Sequence, residues 1–274
     1  MNLSLKVIII SFVTVSWGRA EANEQETLLP VDATPVSRME SKTKDKSRSP
    51  GLFGEYWWAN RFLERHKLVE SLRGKSVDLV MVGDSITHYW EWKHPESWAA
   101  FTSGRTVLNL GYGGDRTDTV IWRLLHGEVD GYQAKTIVLE VGTNNNSSKI
   151  SNPTNVATGI RTIISILREK QPSARIILHP IFPCGDSPNS AHHAEARYRN
   201  EQTNCLLKDY ADMDPHVKWV DFNACFLDEN GWVPRNLMSD GIHPTEQGYE
   251  IWSKVLHAEL LSGDVDSGEG QKME

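Results

Sequence analysis

The chain has 274 residues, of which 39% are hydrophobic and 24% are charged, and its net charge at pH 7 is −7. That length and composition suit one folded domain with a sizeable core. The acidic balance, without a basic cluster inside the folded region, argues against binding to nucleic-acid phosphates or to anionic membrane surfaces. Three cysteines without dense spacing exclude a disulfide scaffold, although a single pair remains open.

The first 22 residues predict a signal peptide. Lys6 is followed by the apolar run 7–15, and small residues stand at Ala20 and Ala22 with the spacing of a cleavage site. The apolar run is shorter than the roughly 20 residues that a membrane-spanning helix needs, so no stable membrane anchor is expected. We therefore expect cleavage near Ala20 or Ala22 and a protein that is secreted or periplasmic.

The next segment, residues 23–50, is rich in Glu, Thr, Ser, Lys and Pro and has almost no aliphatic periodicity. Segments of this composition cannot bury enough apolar surface to offset the entropy of ordering, so a disordered linker is predicted. A second polar, glycine-bearing stretch, residues 262–274, predicts a disordered tail. The folded domain is therefore expected over residues 51–261.

Within that domain, short apolar segments alternate with helical patterns. A helix face is clearest where Val156, Ile160, Ile163 and Leu167 recur at helical spacing. Strand–helix–strand alternation predicts a parallel sheet covered by helices on both faces, which is a three-layer α/β domain. The predicted strands cover residues 77–82, 106–110, 137–141, 175–182 and 217–221.

Polar turns that contain glycine follow the first three predicted strands. Because parallel strands end at one rim of a sheet, the three turns are expected to lie together there, where α/β proteins bind ligands. Glycine allows backbone N–H groups to approach a developing oxyanion, although single turns of this kind are common in α/β proteins. The turns are Gly83-Asp84-Ser85, Gly111-Tyr112-Gly113-Gly114-Asp115 and Gly142-Thr143-Asn144.

Three residue types suited to nucleophilic catalysis stand at two places in the chain. Ser85 ends the first strand, and Asp240 and His243 lie three residues apart before the last helix. At that spacing the carboxylate can reach Nδ1 of the imidazole and leave Nε2 facing a serine. The surroundings of Ser85 lack the second glycine of a G-x-S-x-G turn, and no phosphate loop, dinucleotide fingerprint or metal motif is present. The sequence predicts a serine esterase.

These residues resemble the four conserved blocks of the SGNH (GDSL-type) hydrolase superfamily, over about residues 77–257. Residues 122–124 and 127–128 are similar to the branch that contains the catalytic subunits of platelet-activating factor acetylhydrolase. The blocks are Gly83-Asp84-Ser85, Asn109 to Asp115, Gly142 to Asn145, and Asp240 to His243.

The resemblance implies a role for each block. Ser85 is expected to be the nucleophile and His243 the base, oriented by Asp240. The Ser85 N–H, the Gly114 N–H and the Asn144 side chain are expected to form the oxyanion hole. The implied sheet has five parallel strands in the order 2-1-3-4-5, and no metal or organic cofactor is expected.

The substrate is the open question at this point. An exported acidic protein without a large apolar lid favours a short acyl ester, above all an acetyl ester, of a small molecule or a polysaccharide. A lipid acetylhydrolase or lysophospholipase is the alternative, and a non-catalytic glycan-binding module is a third class. The polar loop 184–190 is expected at the edge of the site. Tryptophans near the first strand, Trp57, Trp58, Trp90, Trp92 and Trp98, either line the site or pack the core.

Overall fold

A computed structural model of the chain describes residues 30–40, 56–147, 151–187 and 191–266. The predicted signal peptide, residues 1–22, lies outside these ranges. Within them, no helix is both long and apolar enough to cross a membrane.

Five apolar segments form one sheet in the order β2-β1-β3-β4-β5, in which all neighbouring strands are parallel. This confirms the predicted sheet and its order. β4 ends at Leu178, earlier than predicted, because Pro180 follows and has no N–H to continue the ladder. The strands are β1 (Ser76–Gly83), β2 (Val107–Gly111), β3 (Gln133–Glu140), β4 (Arg175–Leu178) and β5 (Val217–Trp219).

Helices connect the strands and cover both faces of the sheet. Side chains of β1 alternate between the faces: Val80 packs into one core cluster and Met81 into the other. One cluster holds apolar residues of α1, α4, α6 and α7, and the other holds those of α2, α3 and α8. The helices are α1 (Trp57–Ser71), α2 (Ser85–Lys93), α3 (Pro95–Thr102), α4 (Thr117–Arg123), α5 (Thr143–Asn146), α6 (Pro153–Lys170), α7 (Ala191–Met213) and α8 (Glu246–Asp266).

Residues 30–40, which we call the N-terminal segment, correct the predicted disordered linker in part. Val31–Ala33 form one turn of 3-10 helix, and Asp32 is fully buried against the domain. Its order comes from polar contacts with distant residues and not from apolar periodicity, which is why the composition of the linker did not reveal it. The rest of the linker, residues 23–29 and 41–50, lies outside the described ranges.

Two further predictions, the end of the domain and the possible disulfide, can be compared with the structure. α8 continues to Asp266, so the last helix runs beyond the predicted domain boundary at residue 261. The three cysteines are all unpaired, with Cys184 buried and Cys205 and Cys225 exposed, so the disulfide left open by the sequence is absent.

Candidate active site

Ser85 is the first residue of α2 and follows directly on the strand that ends at Gly83. The Asp84 side chain caps the helix, because its Oδ1 accepts a hydrogen bond of 2.9 Å from the Ile86 N–H. The first N–H groups of a helix have no partner inside the helix, so the Ser85 N–H is available for an external acceptor. Strand, cap and helix start together hold Ser85 at the carboxyl rim of the sheet.

His243 and Asp240 approach Ser85 from the loop before α8. His243 Nε2 lies 2.8 Å from Ser85 Oγ, and His243 Nδ1 lies 2.7 Å from Asp240 Oδ2. The other carboxylate oxygen, Asp240 Oδ1, accepts hydrogen bonds from the backbone N–H groups of Ile242 at 3.0 Å and His243 at 2.8 Å. The three predicted residues therefore form one continuous chain of hydrogen bonds.

The Asp240 carboxyl is ionised in this arrangement. Its partial burial opposes ionisation, but the hydrogen bonds from the His243 side chain and from two backbone N–H groups hold its pKa well below the ordinary value. A carboxylate at Nδ1 keeps the proton of a neutral imidazole on that nitrogen and leaves Nε2 as an acceptor. The geometry thus suits abstraction of the Ser85 hydroxyl proton by Nε2.

Gly114 and Asn144 lie on the two turns that flank the Ser85 turn. Asn144 Nδ2 donates to the Asp115 carbonyl at 2.8 Å and to Asp84 Oδ2 at 3.3 Å. The Asn144 amide therefore links Asp84, which precedes Ser85, to Asp115, which follows Gly114. Gly114 has a φ of 72°, a left-handed conformation that favours glycine. The structure thus brings the three predicted oxyanion donors onto adjacent turns.

Asp115, which follows Gly114 in the same turn, belongs to a buried ionic cluster. Asp115 Oδ1 accepts from Trp58 Nε1 at 2.6 Å and from Arg38 Nη1 at 2.8 Å, and Oδ2 accepts from Arg123 Nε at 2.8 Å. Arg123, which is fully buried, also pairs with the carboxylate of Glu128. Each charge is matched by an opposite one, as buried charges require.

Two residues of α2 that the sequence analysis did not single out also belong to the site. The Tyr89 ring lies against His243, with 4.8 Å between ring centroids. His88 Nδ1 accepts from the Gly113 N–H at 3.3 Å, and burial holds the pKa of His88 well below its ordinary value. His88 and Tyr89 follow Ser85 by three and four residues, the spacing of one helix face, which is the signal that points to them.

The tryptophans divide between the two roles that the sequence left open. Trp58 and Trp90 are fully buried and belong to the core. Trp57 and Trp92 are partly exposed and stack on the two sides of His88, with ring centroids 5.9 and 5.6 Å from it. Partly exposed rings therefore line the α2 side of the site.

The polar loop, as far as the structure describes it, contacts the turn that carries Asp240. Gly185 N–H donates to the Gly241 carbonyl at 2.8 Å, which fixes the loop against the turn that carries Asp240. Asp186 forms an ion pair with the exposed Arg235, with 2.6 Å between Nη2 and Oδ2. Residues 188–190 of this loop lie outside the described ranges.

The described part of the chain holds no group of three or more His, Cys, Asp or Glu residues that could bind a metal ion.

A second carboxyl group, that of Glu140, lies at the end of β3, next to the strand end that leads into Ser85. It is fully buried, and neither side-chain oxygen has a hydrogen-bond partner in the described structure. Burial and the neighbouring Asp84 carboxyl raise the pKa of Glu140 well above its ordinary value. Burial also raises the pKa of Asp84 to about 7, but Asp84 accepts hydrogen bonds and Glu140 does not. We therefore place the proton on Glu140.

Replacing Glu140 with Gln is expected to stabilise the protein increasingly as the pH rises from about 4.3, the ordinary pKa of Glu, toward the raised pKa of folded Glu140. Folded Glu140 keeps a proton that the unfolded chain releases near pH 4, so the wild type loses stability as the pH rises above that value. The loss amounts to about 1.4 kcal/mol for each pH unit up to the folded-state pKa. Gln at position 140 does not titrate. The measurement is the melting temperature of both proteins at several pH values.

The matched control is Glu250→Gln, because Glu250 is exposed on α8. Its difference from the wild type should stay constant over the same pH range. A constant difference for Glu140→Gln as well would show that Glu140 is ionised in the folded protein.

Comparison with known proteins identifies the family of the chain. The family model of the GDSL-like lipase/acylhydrolase family matches residues 81–251, which is more than half of the chain. The human platelet-activating factor acetylhydrolase IB subunit alpha1 is 31% identical over 196 residues, which is 72% of this chain and 80% of that protein. The rat subunit alpha2 is 33% identical over 203 residues, 74% of this chain and 84% of that protein.

Solved structures share the fold at lower identity. A GDSL-like lipase from Bacteroides thetaiotaomicron has a TM-score of 0.62 and 18% identity, and the match covers 73% of this chain and 97% of that one. A carbohydrate acetylesterase from Sinorhizobium meliloti has a TM-score of 0.54 and 14% identity, covering 68% of this chain and 99% of that one. At these identities the likeness concerns the fold alone.

Proposed function

The chain belongs to the GDSL-like lipase/acylhydrolase family, and from that premise we propose that it is a serine esterase that removes short acyl groups from a carbohydrate. Ester hydrolysis follows from the family. The observation that carries the serine mechanism is the hydrogen bond of 2.8 Å between Ser85 Oγ and His243 Nε2, continued from Nδ1 to Asp240.

In the proposed mechanism, Ser85 Oγ attacks the carbonyl carbon of the ester while its proton passes to His243 Nε2. Asp240 stabilises the imidazolium that forms. The negative charge that develops on the carbonyl oxygen is stabilised by the N–H groups of Ser85 and Gly114 and by the Asn144 amide, which gives up its longer hydrogen bond, that of 3.3 Å to Asp84 Oδ2, to bind the oxyanion. Nε2 then returns the proton to the leaving alcohol, and a water molecule, activated by the same nitrogen, hydrolyses the acyl-enzyme.

The acyl group is proposed to be short. The curated relatives at 31% and 33% identity are acetylhydrolases by name, and one structural neighbour is named a carbohydrate acetylesterase. All of these names refer to the removal of an acetyl group, and they differ in the alcohol to which the acetyl group is attached.

The alcohol is proposed to be a sugar because of what lines the two sides of the site. On one side, Trp57, Tyr89 and Trp92 present partly exposed rings, whose flat faces suit the C–H faces of a sugar ring. On the other side, Asp186 and Arg235 offer a carboxylate and a guanidinium that can hydrogen-bond to hydroxyl groups. The combination of ring faces and polar groups fits a carbohydrate better than a long alkyl chain.

The second candidate is a lipid acetylhydrolase, and the identity to the platelet-activating factor acetylhydrolase subunits is the observation that favours it. Both candidates require the same reaction at Ser85. They differ in the part of the substrate that contacts the aromatic and polar sides of the site. A non-catalytic glycan-binding module would retain the same surfaces without turnover.

The protein is expected to hydrolyse p-nitrophenyl acetate faster than the butyrate, and the octanoate poorly. A site that accepts only a short acyl group loses on the order of 1 kcal/mol or more for each methylene that it cannot place. The measurement is kcat/KM for each ester at one pH. Rates that rise with chain length would contradict the proposal and favour a lipase.

A competition experiment distinguishes the two candidate substrates, an acetylated sugar and an acetylated lipid. An acetylated xylan oligosaccharide and an acetylated ether phospholipid are each added as competitors in the p-nitrophenyl acetate assay. Acetate release from each of the two compounds is then measured in a separate reaction without p-nitrophenyl acetate. Acetate release from the oligosaccharide supports the carbohydrate proposal, and release from the phospholipid alone supports the second candidate.

Export is also proposed, on the strength of Lys6, the apolar run 7–15 and the small residues at Ala20 and Ala22. Cleavage near Ala22 leaves residues 30–40 in the mature protein. The N-terminal segment described above is thus part of the exported protein.

A further inference from the structure

We propose that the N-terminal segment is part of the catalytic unit, and that Arg38 and Asp32 are positioning residues for the two turns that carry Gly114 and Asn144. The proposal rests on the proposed serine-esterase mechanism. The segment lies outside residues 81–251, which the family model matches.

Arg38 contacts the Gly114 turn directly. Its Nη1 donates to the Gly113 carbonyl oxygen at 3.2 Å and to Asp115 Oδ1 at 2.8 Å. The Gly113 carbonyl and the Gly114 N–H belong to one peptide unit, which is planar and trans, so they point in opposite directions. Fixing the carbonyl therefore fixes the direction of the N–H that is proposed to bind the oxyanion.

The charge of Arg38 acts on the same peptide. A cation at the carbonyl oxygen polarises the peptide unit and strengthens its N–H as a donor. Arg38 is only one quarter exposed and lies over Trp57 and Trp58, with 5.7 and 5.9 Å from its guanidinium carbon to the ring centroids. The rings restrict the guanidinium to one place beside the turn.

Asp32 anchors the other turn. Its Oδ1 accepts from Asn145 Nδ2 at 2.7 Å and from Ser151 Oγ at 2.5 Å, and its carbonyl accepts from Thr117 Oγ1 at 2.7 Å. Asn145 is the residue after Asn144, so this contact limits the movement of the side chain proposed to bind the oxyanion.

The body of the domain is shaped to receive the segment. At Gly159 on α6, a Cβ atom would lie 2.4 Å from the Asp32 carbonyl oxygen and 2.6 Å from Thr117 Oγ1. A side chain there would displace the segment, so glycine permits the close approach. Between the two anchors, the Val36 N–H donates to the Asp118 carbonyl at 3.1 Å.

The test compares Arg38→Met with Arg38→Lys in the full chain. Met keeps the apolar stem and loses the donor, whereas one Lys ammonium can replace the single nitrogen that makes both contacts. We expect Arg38→Met to lower kcat roughly 10- to 100-fold with little change in KM, because a small misplacement of a transition-state donor has effects of this size. Arg38→Lys is expected to recover most of kcat.

Asp32→Ala is the second variant and removes the other anchor. It is expected to lower kcat in the same direction, measured on the folded fraction. The control is Arg73→Met, because Arg73 lies outside the segment, is exposed and pairs only on the surface, with Glu70, among the described residues. Its kcat should equal that of the wild type.

The outcomes are distinct. Arg38→Met and Asp32→Ala proteins that melt at lower temperature but keep the wild-type kcat would contradict the positioning role and leave the segment a structural element. Equal losses in Arg38→Met and Arg38→Lys would contradict the hydrogen-bond argument. A wild type without turnover would contradict the serine-esterase proposal itself, and the role of the segment with it.

Discussion

Ser85→Ala is expected to abolish hydrolysis of p-nitrophenyl acetate, with a loss in kcat on the order of 10⁶-fold. The substitution removes the hydroxyl oxygen that lies 2.8 Å from His243 Nε2, and with it the nucleophile of the proposed acyl-enzyme. The proposed oxyanion donors would remain and could stabilise attack by water, so a small residual rate is expected. The measurement is steady-state turnover with purified protein, and the burst of p-nitrophenol in the first turnover.

The fold of the variant should be unchanged, because within the described residues the Ser85 hydroxyl bonds to His243 and to no group of the core. Its far-ultraviolet circular dichroism and melting temperature are compared with those of the wild type. Ser71→Ala, at the exposed end of α1, is the control and should retain full activity. Activity retained by Ser85→Ala would exclude it as the nucleophile, and an inactive wild type would favour the binding-module alternative.

Asn144→Ala is expected to lower kcat by roughly 10²–10³-fold with little change in KM, the effect that follows loss of one oxyanion donor. Substrate binding should survive, because the amide acts mainly on charge that develops in the transition state. Some loss of stability is also expected, since Asn144 Nδ2 donates to the Asp115 carbonyl at 2.8 Å. Kinetics and a thermal melt are therefore measured on the same preparation.

Asn146→Ala provides the matched control. Asn146 is buried, and its Nδ2 donates to Asn200 Oδ1 at 3.0 Å and to Thr203 Oγ1 at 3.2 Å, away from Ser85. The control should lower the melting temperature and leave kcat of the folded fraction near that of the wild type. If Asn144→Ala behaves in the same way, Asn144 satisfies groups in a turn and does not bind the oxyanion.

The Arg38 and Asn144 substitutions can also be combined in one protein. Arg38 is proposed to position the Gly114 N–H, and Asn144 is proposed to be a second donor of the same oxyanion hole. Both contact Asp115, so the effects of their substitution are not expected to add. A double variant Arg38→Met/Asn144→Ala that loses less than the product of the two single losses would place both residues in one unit.

The fold could be predicted from the sequence because its signals are local. Apolar runs such as Val77–Val82, separated by helical patterns, specify a parallel sheet, and the carboxyl ends of parallel strands must meet at one rim. The turns at Ser85, Gly114 and Asn144 therefore had to be neighbours. Asp240 and His243 share one short loop, so their mutual contact also follows from their spacing.

The N-terminal segment and the buried carboxyl could not be predicted in this way. Asp32 and Arg38 stand in a polar stretch, and their partners Asn145 and Asp115 lie 113 and 77 residues further along the chain. Glu140 occupies a strand end at which the sequence gives no sign of what will cover it.

The sequence by itself determined the parallel α/β architecture, the turns at the strand ends and the residue types that can carry out ester hydrolysis, and the family resemblance implied the order of the strands. Only the tertiary structure decided which rings line the site, which carboxyl keeps a proton, and that residues 30–40 are held against the turns of Gly114 and Asn144. The physical reason is that burial, pKa and long-range hydrogen bonds depend on the neighbours that folding supplies, and residues such as Arg38 and Glu140 meet those neighbours only in the folded chain.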